Sequence, residues 1–262
     1  MEKIARSINV LGEFCGCRDV ETLTREALLP VLGKEQADVM VLFGGSILCG
    51  ADVLAQAMRG GAAKKYVIVG GEGHTTEALR QRVHREYPDV ETAGLPEAEV
   101  FARALMRQYG LAVDYLECRS TNCGNNITYL LDLLRENGVD FGSIILTQDA
   151  SMQRRMAAGL RKFAPDVRIV NYASYRAQVV VRDGALAFAQ PIRGMWDMER
   201  YISLLLGEIP RLTDDEQGYG PRGKGFIAHV DVPKDVRAAF DCLRGRYAHL
   251  VRGANPAYAS KP

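Results

Sequence analysis

Hydrophobic residues along this chain fall into two alternating patterns. Continuous apolar runs rich in β-branched residues are typical of strands buried on both faces of a sheet, and between them apolar residues recur at helical spacing, as in 127–134. Strand and helix patterns alternate from 38 to 172, which predicts a mainly parallel sheet with helices on both sides. The five predicted strands are 38–43, 66–69, 113–118, 143–147 and 167–172.

The predicted fold is therefore α/β, an open, doubly wound, mainly parallel five-stranded sheet of the Rossmann-like type with a smaller C-terminal α+β cap. Two amphipathic helical stretches within 1–34 predict a helical lead-in packed on the main domain. We place the Rossmann-like domain at 35–189 and interpret 190–262 as a cap folded back on it.

The pattern after residue 172 predicts different elements. Arg182-Asp183-Gly184 lies between two apolar runs and predicts a β-hairpin. Helically spaced apolar residues at 195–205 predict a helix that ends at Gly207. A long loop rich in glycine and charge follows at 214–225, and the alternation at 226–232 predicts a half-exposed strand before a last helix.

Composition narrows the classes of function. The 262 residues carry 33 basic and 32 acidic side chains, so no overall basicity points to a nucleic-acid partner. The apolar runs are too short to span a bilayer, and the start lacks the unbroken apolar segment of a signal peptide. We therefore expect a cytoplasmic protein without a membrane partner, and leave the oligomeric state open. The six cysteines and four histidines show no zinc-binding spacing, so no metal is predicted.

Small or polar residues follow each of the first four predicted strands. Because the carboxyl ends of parallel strands meet at one edge of a sheet, these exits predict a crevice for a small-molecule ligand. The helices that follow would offer unpaired N–H groups and a partial positive charge. The residues predicted to bind the ligand are Gly44, Gly45, Ser46, Gly70, Gly71, Glu72, Gly73, His74, Thr121, Asn122, Asn126, Gln148, Asp149 and Arg154.

Each polar group at these exits also has a purely structural interpretation. Glu72 stands where an acid commonly holds ribose hydroxyls, although a first-turn acid also complements a helix dipole. Glu97 and Asp149 are candidate general bases, and Asp149 is equally suited to cap a helix. His74 is a candidate catalytic residue because histidine titrates near neutral pH, but it is also a common hydrogen-bonding support.

The loop before 127 and the helix after 151 carry further candidates. Ser120-Thr121-Asn122 offers three possible caps where one is needed, and the surplus amides either contact a ligand or hold neighbouring loops together. Arg154 and Arg155 are adjacent on a helix, so only one can face the crevice. We expect one of them to bind an anion or acidic partner and the other to be solvated. Neither a GxGxxG motif nor a P-loop is present.

Four segments carry a resemblance: STNCGNN at 120–126, MQRR at 152–155, WDMERYISLLLGEIPRL at 196–212 and DDEQGYGPRGKGFIAHVDVP at 214–233. Together they closely resemble the YdcF-like proteins, which belong to a larger family of bacterial proteins of undefined function. The resemblance implies a Rossmann-like domain with a C-terminal extension and binding of S-adenosylmethionine, without an established methyl acceptor. One position departs from the family, because Asn125 stands where the family usually has an acid. The carried-over motif positions are Gly44, Gly45, Gly70, Gly71, Glu97, Asn122, Asn126 and 148–155.

These observations leave three classes of function open. The leading hypothesis is a small-molecule-binding protein that holds S-adenosylmethionine or a related nucleoside, with methyl transfer to an unknown acceptor as a possible activity. The first alternative is a hydrolase or transferase acting on a phosphorylated or nucleotide-like substrate, with Glu97 or Asp149 as general base. The second is a regulator that binds a partner through the cap. We also expect the loop at 214–225 to cover the crevice through Asp214, Tyr219 and Arg222.

Overall fold

The computed structural model describes residues 1–45, 47–73 and 75–251. Helices and strands alternate through the middle of the chain, as the hydrophobic pattern predicts. The helices are α1 (Glu2–Cys15), α2 (Arg25–Leu32), α3 (Cys49–Gly60), α4 (Thr76–Glu86), α5 (Glu97–Tyr109), α6 (Cys123–Glu136), α7 (Gln153–Phe163), α8 (Met198–Leu212) and α9 (Lys234–Arg246), with a 3-10 turn at Ala248–Leu250. The strands are β1 (Ala37–Phe43), β2 (Ala63–Val69), β3 (Tyr115–Glu117), β4 (Ser143–Thr147), β5 (Arg168–Asn171), β6 (Val179–Arg182) and β7 (Ala185–Phe188).

The main sheet has five strands in the order β3-β2-β1-β4-β5. All four strand pairings are parallel, with Val41 of β1 opposite Val67 of β2 on one side and Leu146 of β4 on the other. The strand order therefore reverses at β1, where the chain first proceeds outward to β2 and β3 and later returns to β4. The predicted Rossmann-like α/β fold is confirmed.

Both faces of the sheet are covered, because alternate residues of a strand point to opposite faces. Met40 and Leu42 of β1 pack in a core with α2, α3, α4 and α5. Val39, Val41 and Phe43 pack in a second core with α6 and α7. Full burial on both sides explains why the β1 sequence reads as a continuous apolar run.

A third core joins the two ends of the chain. It contains apolar residues of α1, the β6–β7 hairpin, α8 and α9, together with Ile47 and Ala150 from the loops that follow β1 and β4. Ile8 and Leu11 of α1 are fully buried there, and each contributes about 1.5–3 kcal/mol of hydrophobic stabilisation. The N-terminal helix thus packs with the C-terminal elements, which cover part of the carboxyl edge of the sheet.

The predicted hairpin is confirmed at β6–β7. Asp183 and Gly184 form its turn with φ of 51° and 77°, the left-handed conformation that glycine tolerates without strain.

Two local predictions in the C-terminal part are wrong. Helix α8 does not end at Gly207 but continues to Leu212. Leu205, Leu206 and Ile209 are all buried in the third core, and this burial outweighs the roughly 1 kcal/mol that a glycine costs within a helix.

The second wrong prediction is the strand at 226–232, where no strand forms. Ile227 N donates to Tyr219 O over 3.0 Å, and Ala228 N donates to Ala158 O of α7 over 3.0 Å. The backbone of this segment therefore bonds to a loop and a helix instead of a neighbouring strand.

No helix in the described ranges combines the length and the apolar character that crossing a membrane requires.

Candidate functional site

The carboxyl ends of β1, β2 and β4 lie side by side, because all three strands are parallel and adjacent. A side-chain carbon placed on Gly44 would lie 3.2 Å from Val69 O of β2, and one on Gly45 would lie 3.6 Å from Gln148 Oε1 beyond β4. The exits that the sequence singles out are therefore neighbours. The boundary between β1 and β4 is the switch point at which ligands bind in open α/β sheets.

Glu97, the first residue of α5, lies against the exits of β1 and β2. Its backbone N–H donates to Gly71 O over 2.9 Å, which ties α5 to the exit of β2. Its Oε1 accepts hydrogen bonds from the hydroxyls of Thr75 at 3.1 Å and Thr76 at 3.0 Å. The residue is 8% exposed. Burial raises the pKa of the Glu97 carboxyl, and the two threonine hydrogen bonds only partly offset this rise.

Three glycines at the exits of β1 and β2 leave space for neighbouring groups. A side-chain carbon on Gly44 would lie 2.5 Å from Glu97 Oε2, and one on Gly70 would lie 3.0 Å from Glu97 Cβ. A side-chain carbon on Gly71 would lie 2.7 Å from Ser120 N. Gly71 N donates to Ser120 Oγ over 3.1 Å, so the β2 and β3 exits are joined. Close packing of the loops accounts for these three glycines.

Glu72 and Gly73 lie at the open side of the edge. The Glu72 side chain is 69% exposed, and its carboxylate accepts a 3.0 Å bond from Arg80. Apart from its chain neighbours, no described residue would lie within 4 Å of a side-chain carbon placed on Gly73, whose N–H donates to Thr76 Oγ1 over 2.7 Å. Glu72 therefore lies in solvent, whereas Glu97 is the acid that lies against the glycines.

Asn122 caps α6, as one of the three candidates was predicted to do. Its Oδ1 accepts from Asn125 N over 3.0 Å, and its Nδ2 donates to Asn125 Oδ1 over 2.7 Å. Thr121 is exposed and donates to the same Asn125 oxygen over 3.3 Å. The Asn125 side chain thus holds the cap. The amide of Asn126 is half-buried, and its side chain forms no hydrogen bond with the rest of the described chain.

Asp149 joins the sheet to the C-terminal part of the chain. Its Oδ1 accepts from Ser151 N at 2.8 Å, Ser151 Oγ at 2.7 Å and the Tyr175 hydroxyl at 2.7 Å. Its Oδ2 accepts from Trp196 Nε1 at 3.0 Å. With four donors on one buried carboxylate, little acceptor capacity remains for a substrate proton. Sequence reasoning missed Tyr175 and Trp196, since nothing in their local patterns marks them as partners of Asp149.

A small cavity of about 10 Å³ lies at the switch point, room for about one water molecule. Gln148 lines it and accepts from Asp149 N over 2.6 Å through its own Oε1. The buried hydroxyl of Ser174 also lines the cavity and forms no hydrogen bond with the described residues. The exit of β4 is therefore close-packed and offers little space for a ligand.

Neither arginine of the predicted pair points into open solvent at the crevice. Arg155 binds Glu208 of α8 through two hydrogen bonds of 2.5 and 3.0 Å, so its acidic partner is within the chain. Arg154 donates to Phe14 O and stacks over the Phe14 ring, with its guanidinium carbon 4.3 Å from the ring centre. The expectation that the second arginine is merely solvated is wrong, because α1 packs against it.

The loop at 214–225 is held by its own hydrogen bonds and by two helices. Asp214 Oδ1 accepts from Arg222 N over 2.8 Å, and Tyr219 N donates to Arg211 O of α8 over 2.9 Å. Lys162 of α7 donates to Gly225 O. None of the hydrogen bonds within the described ranges joins this loop to a strand exit, so its role as a cover over the crevice stays a prediction.

Two predicted site residues, Ser46 and His74, lie outside the described residues. Within the ranges that are described, no group of three or more histidine, cysteine, aspartate or glutamate side chains is arranged to hold a metal ion.

Comparison with known proteins gives a relative without an assigned activity. A Streptomyces coelicolor protein described as uncharacterized protein SCO4629 is 24% identical over 209 residues, which cover 79% of this chain and 81% of that protein. Its description names no ligand or reaction, so the similarity adds no function here. No family model matches the chain.

Proposed function

We propose that this protein binds a small nucleoside-type ligand, with S-adenosylmethionine as the leading candidate, at the carboxyl edge of its sheet. The observation that carries this proposal is the meeting of the β1 and β2 exits with the first residues of α5 and with the loop that leads into α6. Such an edge combines close backbone approach with helix N-termini, the arrangement that binds nucleotides in open α/β sheets. The resemblance to YdcF-like proteins favours S-adenosylmethionine among such ligands.

The proposed position of the ligand is guided by the hydrogen bonds and the packing already present at the strand exits. The β4 exit is close-packed, and Asp149 is bonded to Tyr175 and Trp196. Within the described ranges, no residue beyond its chain neighbours lies close to Gly73 at the β2 exit, and the Asn126 amide near the start of α6 has no hydrogen-bond partner. We therefore place the ligand between the β1–β2 exits and the start of α6, beside the switch point.

Hydrolysis or group transfer on a phosphorylated substrate is the second candidate. One observation favours it, the burial that raises the pKa of Glu97, since a general acid or base needs a pKa displaced toward the working pH. The two arginines that would have favoured an anionic substrate are engaged by Glu208 and by Phe14. Nucleoside binding therefore remains the leading proposal, and methyl transfer and partner binding stay secondary hypotheses.

Calorimetric titration with S-adenosylmethionine, S-adenosylhomocysteine and ATP tests the proposal. We expect binding of the first two and none of ATP. Asn126→Ala should weaken that binding roughly tenfold, by about 1.4 kcal/mol. Asn137→Ala is the matched control at the opposite end of α6, where the exposed amide bonds only to Leu133 O, and should bind as the wild type does.

Three results would count against this assignment. Preference for ATP or free phosphate would favour the phosphoryl-transfer candidate. Equal weakening by both asparagine variants would place the ligand elsewhere. If none of the three compounds binds, partner binding would be the better hypothesis.

A further inference from the structure

Glu97 carries a carboxyl group that the fold does not explain. Burying a carboxylate is costly unless an opposite charge or several donors compensate for it. Among the described residues, two side chains donate to the Glu97 carboxyl: the hydroxyls of Thr75 and Thr76, both to Oε1. Arg80 lowers the pKa of this carboxyl through its charge, but its guanidinium is committed to Glu72, Glu77 and a backbone carbonyl.

Oε2, the second carboxyl oxygen of Glu97, lies beside two strand exits that contain glycine. A side-chain carbon would lie 2.5 Å from it at Gly44 and 3.4 Å from it at Gly70, so Oε2 lies between the exits of β1 and β2. No hydrogen bond to Oε2 is formed by any residue in the described part of the chain. A residue that is more than nine-tenths buried thus keeps an acceptor unused at the proposed binding edge.

Stability of the fold does not require an acid at this position. A glutamine would present the same Oε1 to Thr75 and Thr76, and the backbone bonds from Glu97 N and Ala98 N to the β2 exit would be unchanged. The amide would also avoid the cost of burying a charge. An acid whose pKa is raised by burial, placed at a cleft edge without a counter-ion, is characteristic of a functional site.

We infer that Glu97 is the acid that contacts the ligand: its Oε2 accepts a hydrogen bond from a hydroxyl or amino group of the bound nucleoside. This inference rests on the proposed function and names the residue that recognises the ligand's donor group. It assigns to Glu97 the role that sequence position alone suggested for Glu72, whose exposed carboxylate already pairs with Arg80.

The test compares Glu97→Gln with Glu72→Gln, an acid-to-amide control at the same edge. Thermal unfolding and calorimetric titration with S-adenosylmethionine and S-adenosylhomocysteine are measured for both variants and the wild type. We expect Glu97→Gln to unfold at a temperature no lower than the wild type and to bind roughly tenfold or more weakly. Glu72→Gln should bind within roughly twofold of the wild type.

The outcomes separate this inference from the proposed function. If the wild type binds neither compound, the proposed function fails and the inference falls with it. If the wild type binds and folded Glu97→Gln binds within roughly twofold of it, the inference alone is overturned. If Glu97→Gln does not fold, the ¹³C resonance of the Glu97 carboxyl in wild-type protein decides instead. It must shift when S-adenosylhomocysteine is added, and an unchanged resonance would refute the contact.

Discussion

Removing the carboxylate of Glu208 should destabilise the protein more than any exposed ion-pair change. Arg155 and Glu208 connect α7 of the sheet domain to α8 through hydrogen bonds of 2.5 and 3.0 Å, and their side chains are only 12% and 6% exposed. Burial disfavours the charge on Arg155, but the neighbouring Cys123 and Glu208 outweigh it and raise the pKa of the guanidinium. The guanidinium therefore stays charged in the folded protein.

Glu208→Ala leaves that charge buried without its partner, which costs about 3–5 kcal/mol. This is a large fraction of the roughly 5–15 kcal/mol by which a domain is stable. Replacing both residues together, Arg155→Met with Glu208→Leu, removes both charges and fills the space with apolar side chains. The double variant should therefore be more stable than Glu208→Ala and close to the wild type.

Urea unfolding measures the effect, followed by far-UV circular dichroism and by the fluorescence of Trp196, the single tryptophan. The two signals should change together if unfolding is two-state, which is required for a free energy of unfolding to be defined. Asp89→Ala is the control, since Asp89 and Arg107 form an exposed pair with side chains 59% and 53% exposed. Such pairs contribute about 0–1 kcal/mol.

A loss below about 1 kcal/mol for Glu208→Ala, equal to that of the exposed control, would show that the Arg155 charge is solvated. A double variant less stable than Glu208→Ala would show that the pair is favourable in itself. Either result would refute the reasoning that removal of one partner is costly because the other charge stays buried.

Three further predictions address the strand exits and the opposite edge of the sheet. Gly71→Ala should destabilise by about 1–3 kcal/mol in urea unfolding, because the added carbon would lie 2.7 Å from Ser120 N, and unchanged stability would contradict the loop contact. Trp196→Phe should lower the free energy of unfolding, measured by circular dichroism, by about 1.5–3 kcal/mol, since it removes the donor to Asp149, and a neutral result would contradict that bond. Burial would raise the pKa of Asp38, but hydrogen bonds from two lysines and a serine lower it to about 2. The ionised Asp38 side chain therefore stabilises the folded protein fully above its unfolded pKa of about 4. This stabilisation is lost as the pH falls toward the folded pKa. Asp38→Asn should remove that part of the acid-induced fall in melting temperature.

The sheet could be predicted from sequence because burial on both faces leaves a direct record in the chain. Val39, Met40 and Val41 are all apolar since β1 has a core on each side. The end of α8 could not be predicted, because Gly207 and Pro210 are local stop signals, whereas the burial of Ile209 depends on α1 and α9, which lie far away in the sequence. Local sequence signals fail to predict the end of a helix when packing against residues distant in the sequence determines it.

The candidate site could be predicted only as a set of strand exits. The sequence identifies which residues follow β1, β2 and β4, and parallel pairing brings them to one edge. It does not show that Tyr175 and Trp196 donate to Asp149, because those contacts span 26 and 47 positions. The bonding state of each polar group, which separates a structural from an available side chain, is a property of the folded molecule.

That bonding state distinguishes the two buried acids at this edge. Asp149 accepts four hydrogen bonds, two from its own loop and two from Tyr175 and Trp196, so its charge is compensated and its function is to hold the C-terminal part onto the sheet. From the residues that the structure describes, Glu97 accepts two hydrogen bonds on one oxygen and none on the other. A ligand that needed Asp149 would have to displace protein donors, at a cost of about 1–3 kcal/mol for each buried donor left unpaired. A ligand that contacts Glu97 would add a donor to an oxygen that accepts none from the described residues. We therefore expect ligand recognition on the β1–β2 side of the switch point.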